Sequence, residues 1–171
     1  MKTLATVLLS LILVSSLAAK TLVGQIDIQR VLLTVAEGKK VRQQLKASFD
    51  KKQKKLRTEE EKIKKLQSDF NKQSMVLSDK AKSKKEQDMQ KMIMQLQRTS
   101  MEYQKEIQSM EQSLKKPILD RVRKIVTEVS KSAGVDLTFE ISTAPLIYAK
   151  DFKDLTPKVI ELYDKRHPVK K

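Results

Sequence analysis

Apolar side chains recur with helical spacing through the middle of the chain, from about residue 29 to residue 133. In the second half of this region, spacings of four and three residues alternate without a slip, and only one of eight positions is not apolar. These positions are Met89, Ile93, Leu96, Ser100, Tyr103, Ile107, Met110 and Leu114. A heptad pattern of this kind predicts a helix that packs lengthwise against another helix.

The first half of the region carries a weaker row with the same spacing. Its apolar members are Phe49, Leu56, Ile63 and Phe70 at one heptad position and Leu45 and Leu66 at the other. Lys52 and Glu59 occupy that second position in the middle heptads, so the apolar row is thin there.

A helix start is predicted between the two halves, at Ser78 and Asp79. The serine hydroxyl suits an N-cap, and a carboxylate is favourable in the first turn. A turn near residues 75–79 would fold the halves into an antiparallel hairpin of two arms, the first about 65–70 Å long. One unbroken helix is the alternative. We favour the hairpin because the thin row of the first arm needs a partner.

The second arm changes character at Pro117, which removes a backbone donor and is predicted to kink the helix. After Leu114 the apolar row shifts by four residues. Its new members are Ile118, Val122, Ile125 and Val129. The shift predicts a change of packing partner, and Gly134 is the predicted C-terminal stop.

Alternating patterns on either side of the helices predict three short strands, at residues 22–28, 135–141 and 146–149. The side chains expected to build an oligomerisation body from the first two are Ile26, Ile28, Val135, Leu137, Phe139 and Ile141. A final helix is predicted with Thr156 as its N-cap and Pro157 in its first turn, ending at His167 and Pro168.

The predicted fold is α+β and mostly helical, with a coiled-coil hairpin at residues 36–117 projecting from a small β-rich body. The body comprises residues 19–35 and 118–171. A body of about seventy residues buries little apolar surface, and its short strands leave sheet edges exposed. The chain has no cysteine, so no disulfide can stabilise it. Oligomerisation is therefore expected.

The N-terminal residues 1–18 are interpreted as a secretory signal peptide. Lys2 precedes an apolar run that ends near Leu17, and this run is shorter than the roughly 20 residues that span a bilayer. The small-x-small pattern ending at Ala18 predicts cleavage after Ala18 or Ala19. We therefore expect a periplasmic protein, with an uncleaved anchor as the alternative. A lipoprotein is excluded because no cysteine follows the run.

Charge and methionine content indicate candidate binding surfaces. The formal net charge is +15, and residues 39–88 hold 17 Lys or Arg against 8 Asp or Glu. Electrostatic candidates are Lys80, Lys82, Lys84 and Lys85. Apolar candidates are Met75, Val76 and Leu77 at the turn and Met94 and Met101 off the apolar row. Flexible methionines suit varied partners, although both sets are equally compatible with an ordinary solvated helix surface.

Catalysis and cofactor binding find little support. The single histidine, His167, lies near the C-terminus, and the three glycines are too dispersed for a phosphate loop. Residues 59–61 are all glutamate, but Lys64 and Lys65 follow Glu60 and Glu61 by four residues and predict ion pairs on a solvated face. No zinc-ligand spacing is present. We therefore expect neither an enzyme nor a cofactor.

The chain resembles the Skp/OmpH family of periplasmic chaperones over essentially its whole mature length. The residues that carry the resemblance are IDIQRVL, AEGKKVRQQLKASFDKKQKKL, the lysine-rich turn, and GVDLTFEISTAPLIYAKDFKDLTPKVI. The resemblance implies a homotrimer in which three chains build a β-barrel and three hairpins surround a cavity. It further implies that unfolded outer-membrane proteins are held in that cavity without ATP.

Other partners and functions stay open at this point. An anionic lipid or lipopolysaccharide surface would suit the basic arms, although the family's lipopolysaccharide site is not matched residue by residue. An envelope adaptor that docks one specific partner is the alternative function. A nucleic-acid-binding coiled coil is disfavoured by export and by the lack of an aromatic stacking platform.

Overall fold

The structure is a computed structural model that describes residues 21–144 and 146–169. The predicted signal peptide, residues 1–18, lies outside these ranges. The elements in chain order are β1 (Val23–Ile26), α1 (Ile28–Thr34), α2 (Ala36–Gln73), α3 (Asp79–Ala133), β2 (Leu137–Glu140), β3 (Phe152–Asp154) and α4 (Thr156–Arg166). No helix within these ranges has the length and apolar content needed to cross a membrane.

A sharp corner joins α1 to α2. Asp27 caps α1 by accepting a 2.7 Å hydrogen bond from the Arg30 amide, and α2 begins two residues after α1 ends. A Cβ atom at Gly38 would lie 1.9 Å from the Leu32 carbonyl oxygen. Only glycine therefore permits the close approach of the two helices at this corner.

The two arms form an antiparallel hairpin rather than one unbroken helix. The chain reverses at residues 74–78, and α2 packs along α3. Ser78 caps α3 as predicted, accepting a hydrogen bond from the Ala81 amide, with Asp79 in the first turn. Helix α3 continues through Pro117 and ends at Gly134, whose φ of 66° is left-handed. The predicted kink at Pro117 stays a prediction.

The three strands form a parallel sheet in the order β2-β1-β3. The predicted strand at residues 146–149 is wrong. Both outer strands run parallel to β1, so the chain must return along the sheet between them. Residues 141–144 and 146–151 lie in this return, and the third strand forms only at Phe152, which pairs with Val23.

The first two strands are also shorter than predicted, because their end residues belong to other parts of the structure. Asp27 caps a helix, so Ile28 begins α1 instead of ending β1. Val135 and Ile141 flank β2, and their backbone lies outside the strand.

Helix α4 forms as predicted, but its N-cap residue is Leu155 and not Thr156. The Thr156 side chain is buried, and its hydroxyl accepts a hydrogen bond from the Asp27 amide. The amide of Thr156 instead donates to the Asp154 carboxylate at 2.9 Å. A tertiary contact with Asp27, the N-cap of α1, therefore replaces the local cap that the sequence predicted.

The core lies where α1, the last turns of α3 and α4 cover one face of the sheet. Its buried members from α3 are Ile118, Val122, Ile125 and Val129. These are the residues of the shifted apolar row, so the predicted change of packing partner after Leu114 is confirmed.

Candidate functional site

The hairpin tip exposes apolar side chains. Met75 is 94% exposed and Val76 is 85% exposed, whereas Leu77 is half-buried. No hydrophobic neighbour covers the first two, because the turn projects beyond both helices. The tip therefore presents bare apolar surface at the far end of the arms.

The four candidate lysines lie in the first two turns of α3, directly behind the tip. Lys82 lies 3.9 Å from the Asp79 carboxylate, and Lys85 donates to the Gln73 side chain across the hairpin at 2.9 Å. Lys80 and Lys84 are exposed, and neither has an ion pair within residues 21–144 and 146–169. The structure thus brings a partly unneutralised basic cluster next to the apolar tip.

The two off-row methionines are exposed on the outside of α3. Met94 is 53% exposed and Met101 is 65% exposed. Their spacing of seven residues places them on one face of the helix. Sequence reasoning located this face correctly, and the structure leaves it uncovered by α2.

A polar contact fills the thin position of the packing row. The Lys52 ammonium pairs with Glu106 of the other arm and lies 4.2 Å from the centre of the Tyr103 ring. The Lys52 side chain is only 19% exposed. This cation–π and ionic contact joins the two arms at the position where the apolar row is thin.

Between Lys52 and the tip, the arms enclose a groove of about 580 Å³, here called the mid-arm groove. Five of its lining residues have apolar or aromatic side chains: Leu56, Ile63, Met92, Leu96 and Tyr103. The polar and charged lining residues are Lys51, Lys54, Lys55, Thr58, Glu59, Gln95 and Thr99. Sequence analysis did not find this groove, because heptad spacing says which residues face the partner helix and not where the helices leave a gap.

A three-residue network fixes the root of the arms to the body. The Glu37 carboxylate on α2 accepts hydrogen bonds from Arg121 on α3 at 2.7 Å and from the Tyr163 hydroxyl on α4 at 2.6 Å. Burial, together with the hydrogen bond to Glu37, raises the pKa of Tyr163 to about 12. The hydrogen bonds to Tyr163 and Glu37 also raise the pKa of Arg121. The network joins both arms to the last helix.

The six residues predicted to build an oligomerisation body divide into two groups. Ile26 is buried, and Ile28 and Val135 pack against the same core within the chain. These three are therefore committed to intrachain packing. Leu137 and Ile141 are 57% and 43% exposed, and Phe139 is half-buried.

The sheet has an outer face that none of the helices α1 to α4 covers. Val23 pairs in register with both Leu137 and Phe152, so the three side chains point to one side of the sheet. Phe152 is 53% exposed. From the return segment, Leu146 and Tyr148 line one cavity with Val23 and Leu137, and they are 47% and 79% exposed. Apolar surface is therefore concentrated on the side of the sheet away from the core.

A fixed turn begins that return segment. Although burial of Glu140 opposes ionisation, hydrogen bonds from Ser142 and Thr143 outweigh it and lower the pKa of Glu140 to about 2. The carboxylate is thus ionised at neutral pH and holds the chain where it leaves β2.

The described ranges hold no group of three or more His, Cys, Asp or Glu side chains arranged to bind a metal ion.

Comparisons with known proteins identify one family and one similar fold. Residues 23–163 match the family described as Outer membrane protein (OmpH-like). A comparison with curated proteins gave no match. Among solved structures, the fold is similar to that of a candidate outer membrane chaperone (OmpH-like) from Caulobacter crescentus CB15, with a TM-score of 0.73 and 17% sequence identity. The similarity covers 90% of this chain and 89% of that one.

Proposed function

The chain belongs to the OmpH-like family of outer membrane proteins, and on this premise we propose that it is an ATP-independent periplasmic holdase chaperone. It would bind unfolded outer-membrane proteins in a cavity between its basic arms and prevent their aggregation before membrane insertion. Export by the predicted signal peptide would bring it to the periplasm. Sequencing the N-terminus of the exported protein tests this step, with Ala19 or Lys20 expected as the first residue.

The observation that carries the proposal is the composition of the arm surface. Long helices project from the body and expose the apolar side chains of Met75, Val76, Met94 and Met101 among unpaired lysines. Exposed apolar patches on soluble proteins mark interaction sites. Flexible methionines adapt to varied partners, and many weak contacts together retain a chain that fits no single pocket.

Client capture would proceed in two stages. The basic arms first attract an acidic unfolded chain over a distance set by salt screening, and the apolar side chains then hold it. Dissolved salt screens the attraction between exposed charges, and each exposed ionic contact is weak. Association of client and arms should therefore slow as the salt concentration rises.

We also propose that the protein is a homotrimer, assembled through the outer face of the sheet. Leu137, Phe152, Leu146 and Tyr148 are exposed on or beside this face, and burial between copies would remove their apolar surface from water. Light scattering on the mature chain should give three times the monomer mass. A monomer at working concentration would contradict this assembly.

The decisive experiment measures suppression of aggregation of a denatured outer-membrane barrel protein. Changing Lys80, Lys82, Lys84 and Lys85 together to glutamine should slow capture and weaken its salt dependence. The matched control changes four exposed lysines near the body: Lys39, Lys124, Lys131 and Lys165. Wild-type protein that fails to protect any such client would overturn the chaperone proposal and favour the adaptor alternative.

An anionic lipid or lipopolysaccharide surface is a second partner that the tip would suit. Met75 and Val76 are exposed beside the basic cluster, and this combination favours the headgroup region of a charged bilayer. Cosedimentation with vesicles containing phosphatidylglycerol, compared with neutral vesicles, tests this partner.

A further inference from the structure

Resting on the proposed chaperone function, we infer that the mid-arm groove is a docking site for an extended client segment in which aromatic and acidic side chains alternate. The groove lies between α2 and α3, away from the exposed methionines and the tip. It would give the arms one defined anchoring site in addition to their diffuse surface.

The volume and lining of the groove suit side chains from an extended segment. Its volume of about 580 Å³ lies within the range of ligand sites in proteins. The stretch of α2 from Lys51 to Ile63 is about 18 Å long, which matches five or six residues of extended chain. Leu56, Ile63 and Leu96 supply an apolar floor on which aromatic rings could rest.

The charges around the groove favour an acidic occupant. Lys51, Lys54 and Lys55 line it, and none of them has an ion pair with any residue of the described chain. The one carboxylate in the lining, Glu59, is paired with Lys62 at 2.7 Å. The groove therefore carries three uncompensated positive charges beside its apolar floor.

Polar groups at the groove favour a peptide over a single-chain lipid. The Thr58 hydroxyl donates to the Lys54 carbonyl, and the Gln95 amide donates to the Thr99 hydroxyl. The Gln95 carbonyl oxygen and the Thr99 hydroxyl proton remain to pair with the backbone of an extended chain, whereas an alkyl chain offers them no partner. Strands of outer-membrane barrels alternate apolar and polar side chains. Such a segment would direct every second side chain to the floor and the others to the lysines.

A contact between the two arms adjoins the end of the groove nearest the body. Lys52 lies over the ring of Tyr103 and pairs with Glu106 of the opposite arm. This contact fixes the spacing of the two helices beside the groove, so an occupant meets a preformed wall and binding there needs less ordering of the arms.

The test uses the full mature chain and a fluorescein-labelled nine-residue peptide that alternates Phe or Tyr with Asp. Fluorescence anisotropy should show saturable binding. A second peptide with Lys in place of Asp and the same aromatic residues should bind at least tenfold more weakly, because its charge opposes the three lysines.

Two variants locate the site. Thr99→Phe fills the groove and should abolish saturable binding of the peptide, whereas Gln97→Phe adds the same ring at an exposed position of α3 outside the groove and should leave it unchanged. Changing Lys51, Lys54 and Lys55 to glutamine should weaken binding about tenfold, as three contacts of roughly half a kcal/mol each imply. The control triple changes Lys64, Lys65 and Lys72, which lie on the same helix outside the groove.

Equal binding of the peptide to wild type and to both groove variants would overturn the inference. If Thr99→Phe does not fold, the lysine triple alone decides the matter. Saturable binding of dodecyl phosphate in place of the peptide would overturn it in favour of a lipid. A change in oligomeric state of the Thr99→Phe variant would also overturn the inference, because it would show that a second copy of the chain occupies the groove. In all of these cases, wild-type suppression of client aggregation would leave the proposed chaperone function standing.

Discussion

The body buries Tyr163, Ile118 and Val122 almost completely, whereas Ile63 is the one buried side chain between residues 42 and 117, the part of the arms beyond the body. Both regions use the same helix, since α3 runs through both. In the body, α3 is covered by the sheet and two further helices, and in the arms it meets only α2. The number of neighbouring elements therefore differs between the two packing regimes.

This difference gives the regions different tasks. The body can hold a fixed geometry because its core is closed. The arms keep part of their apolar surface accessible because a two-helix contact covers only one side of each helix. Regions with few buried contacts open at lower free energy than the core. A surface that must accept varied chains belongs in such a region.

The strongest test of the comparison makes one substitution at two positions of α3. Ile125 is 2% exposed in the body and Ile93 is 37% exposed in the arms. Ile125→Ala should lower the unfolding free energy by about 2–5 kcal/mol, because it removes buried methyl groups and leaves a cavity. Ile93→Ala should cost about 1 kcal/mol or less, since its site can fill with water. Urea denaturation at a fixed protein concentration measures both.

Similar losses at the two positions would contradict the comparison. They would mean that the arms are packed as tightly as the body, which could happen if the arms of neighbouring copies cover one another. Repeating the measurement at several protein concentrations separates that explanation from intrachain packing.

The second prediction concerns alkaline pH and the root of the arms. The pKa of Tyr163 is raised to about 12 in the folded chain, from about 10 in an unfolded one. The unfolded chain therefore loses the hydroxyl proton of Tyr163 at lower pH than the folded chain does. The stability that the protonated hydroxyl contributes to the fold is complete below pH 10. It is lost as the pH rises to 12. The expected loss is up to about 1.4 kcal/mol for each pH unit in this window.

Tyr163→Phe should remove this part of the pH dependence, and Tyr103→Phe in the arms is the matched control. Urea midpoints at pH 9 and pH 11.5 supply the measurement. Equal slopes for wild type and Tyr163→Phe would show that the network at Glu37 does not hold the folded body together.

The sequence predicted the helices well because their patterns are long and their signals are local. Ser78, Gly134 and the shifted row from Ile118 to Val129 all have the predicted structural roles. Each of these signals depends on residues within a few turns of the same helix. The hairpin followed from them because a thin apolar row needs the nearest available partner.

The strands and the groove could not be predicted in the same way, because both depend on distant residues. The third strand is set by pairing of Phe152 with Val23. The Thr156 hydroxyl accepts a hydrogen bond from the Asp27 amide in place of the helix-capping bond that the sequence predicted. The six residues predicted for oligomerisation fell into a buried group and an exposed group. Ile26 and Leu137 both belong to alternating apolar patterns in the sequence, but their side chains point to opposite faces of the sheet. The candidate residues at the tip and on α3 needed only helical periodicity to be placed.

A third prediction concerns the polar contact inside the arms. Lys52→Leu restores an apolar residue in the packing row, and Glu106, which is 59% exposed, stays solvated after its partner is removed. The unfolding free energy should therefore stay equal to that of wild type or rise by up to about 1 kcal/mol. Lys46→Leu, which also removes one lysine of an ion pair on α2, is the control. A clear loss at Lys52 would show that its contacts with Glu106 and Tyr103 are needed for arm pairing.

The smallest expected effect on stability is at the exposed methionines. Met94 and Met101 are more than half exposed, and glutamine is as good a helix former as methionine. Changing both to glutamine should alter the unfolding free energy by less than about 0.5 kcal/mol. The same double variant should release a bound client faster, because adaptable apolar contacts are lost while the charge is unchanged.

Dissociation of a labelled client after dilution measures that release. Glutamine at Met89 and Met110, which belong to the packing row, is the comparison, and it should reduce arm stability more than client retention. An unchanged release rate in the Met94 and Met101 variant would assign these methionines to ordinary helix surface. Client retention would then have to come from the tip and the mid-arm groove, so the apolar surface of the arms that binds clients would be confined to sites where the two helices turn or separate.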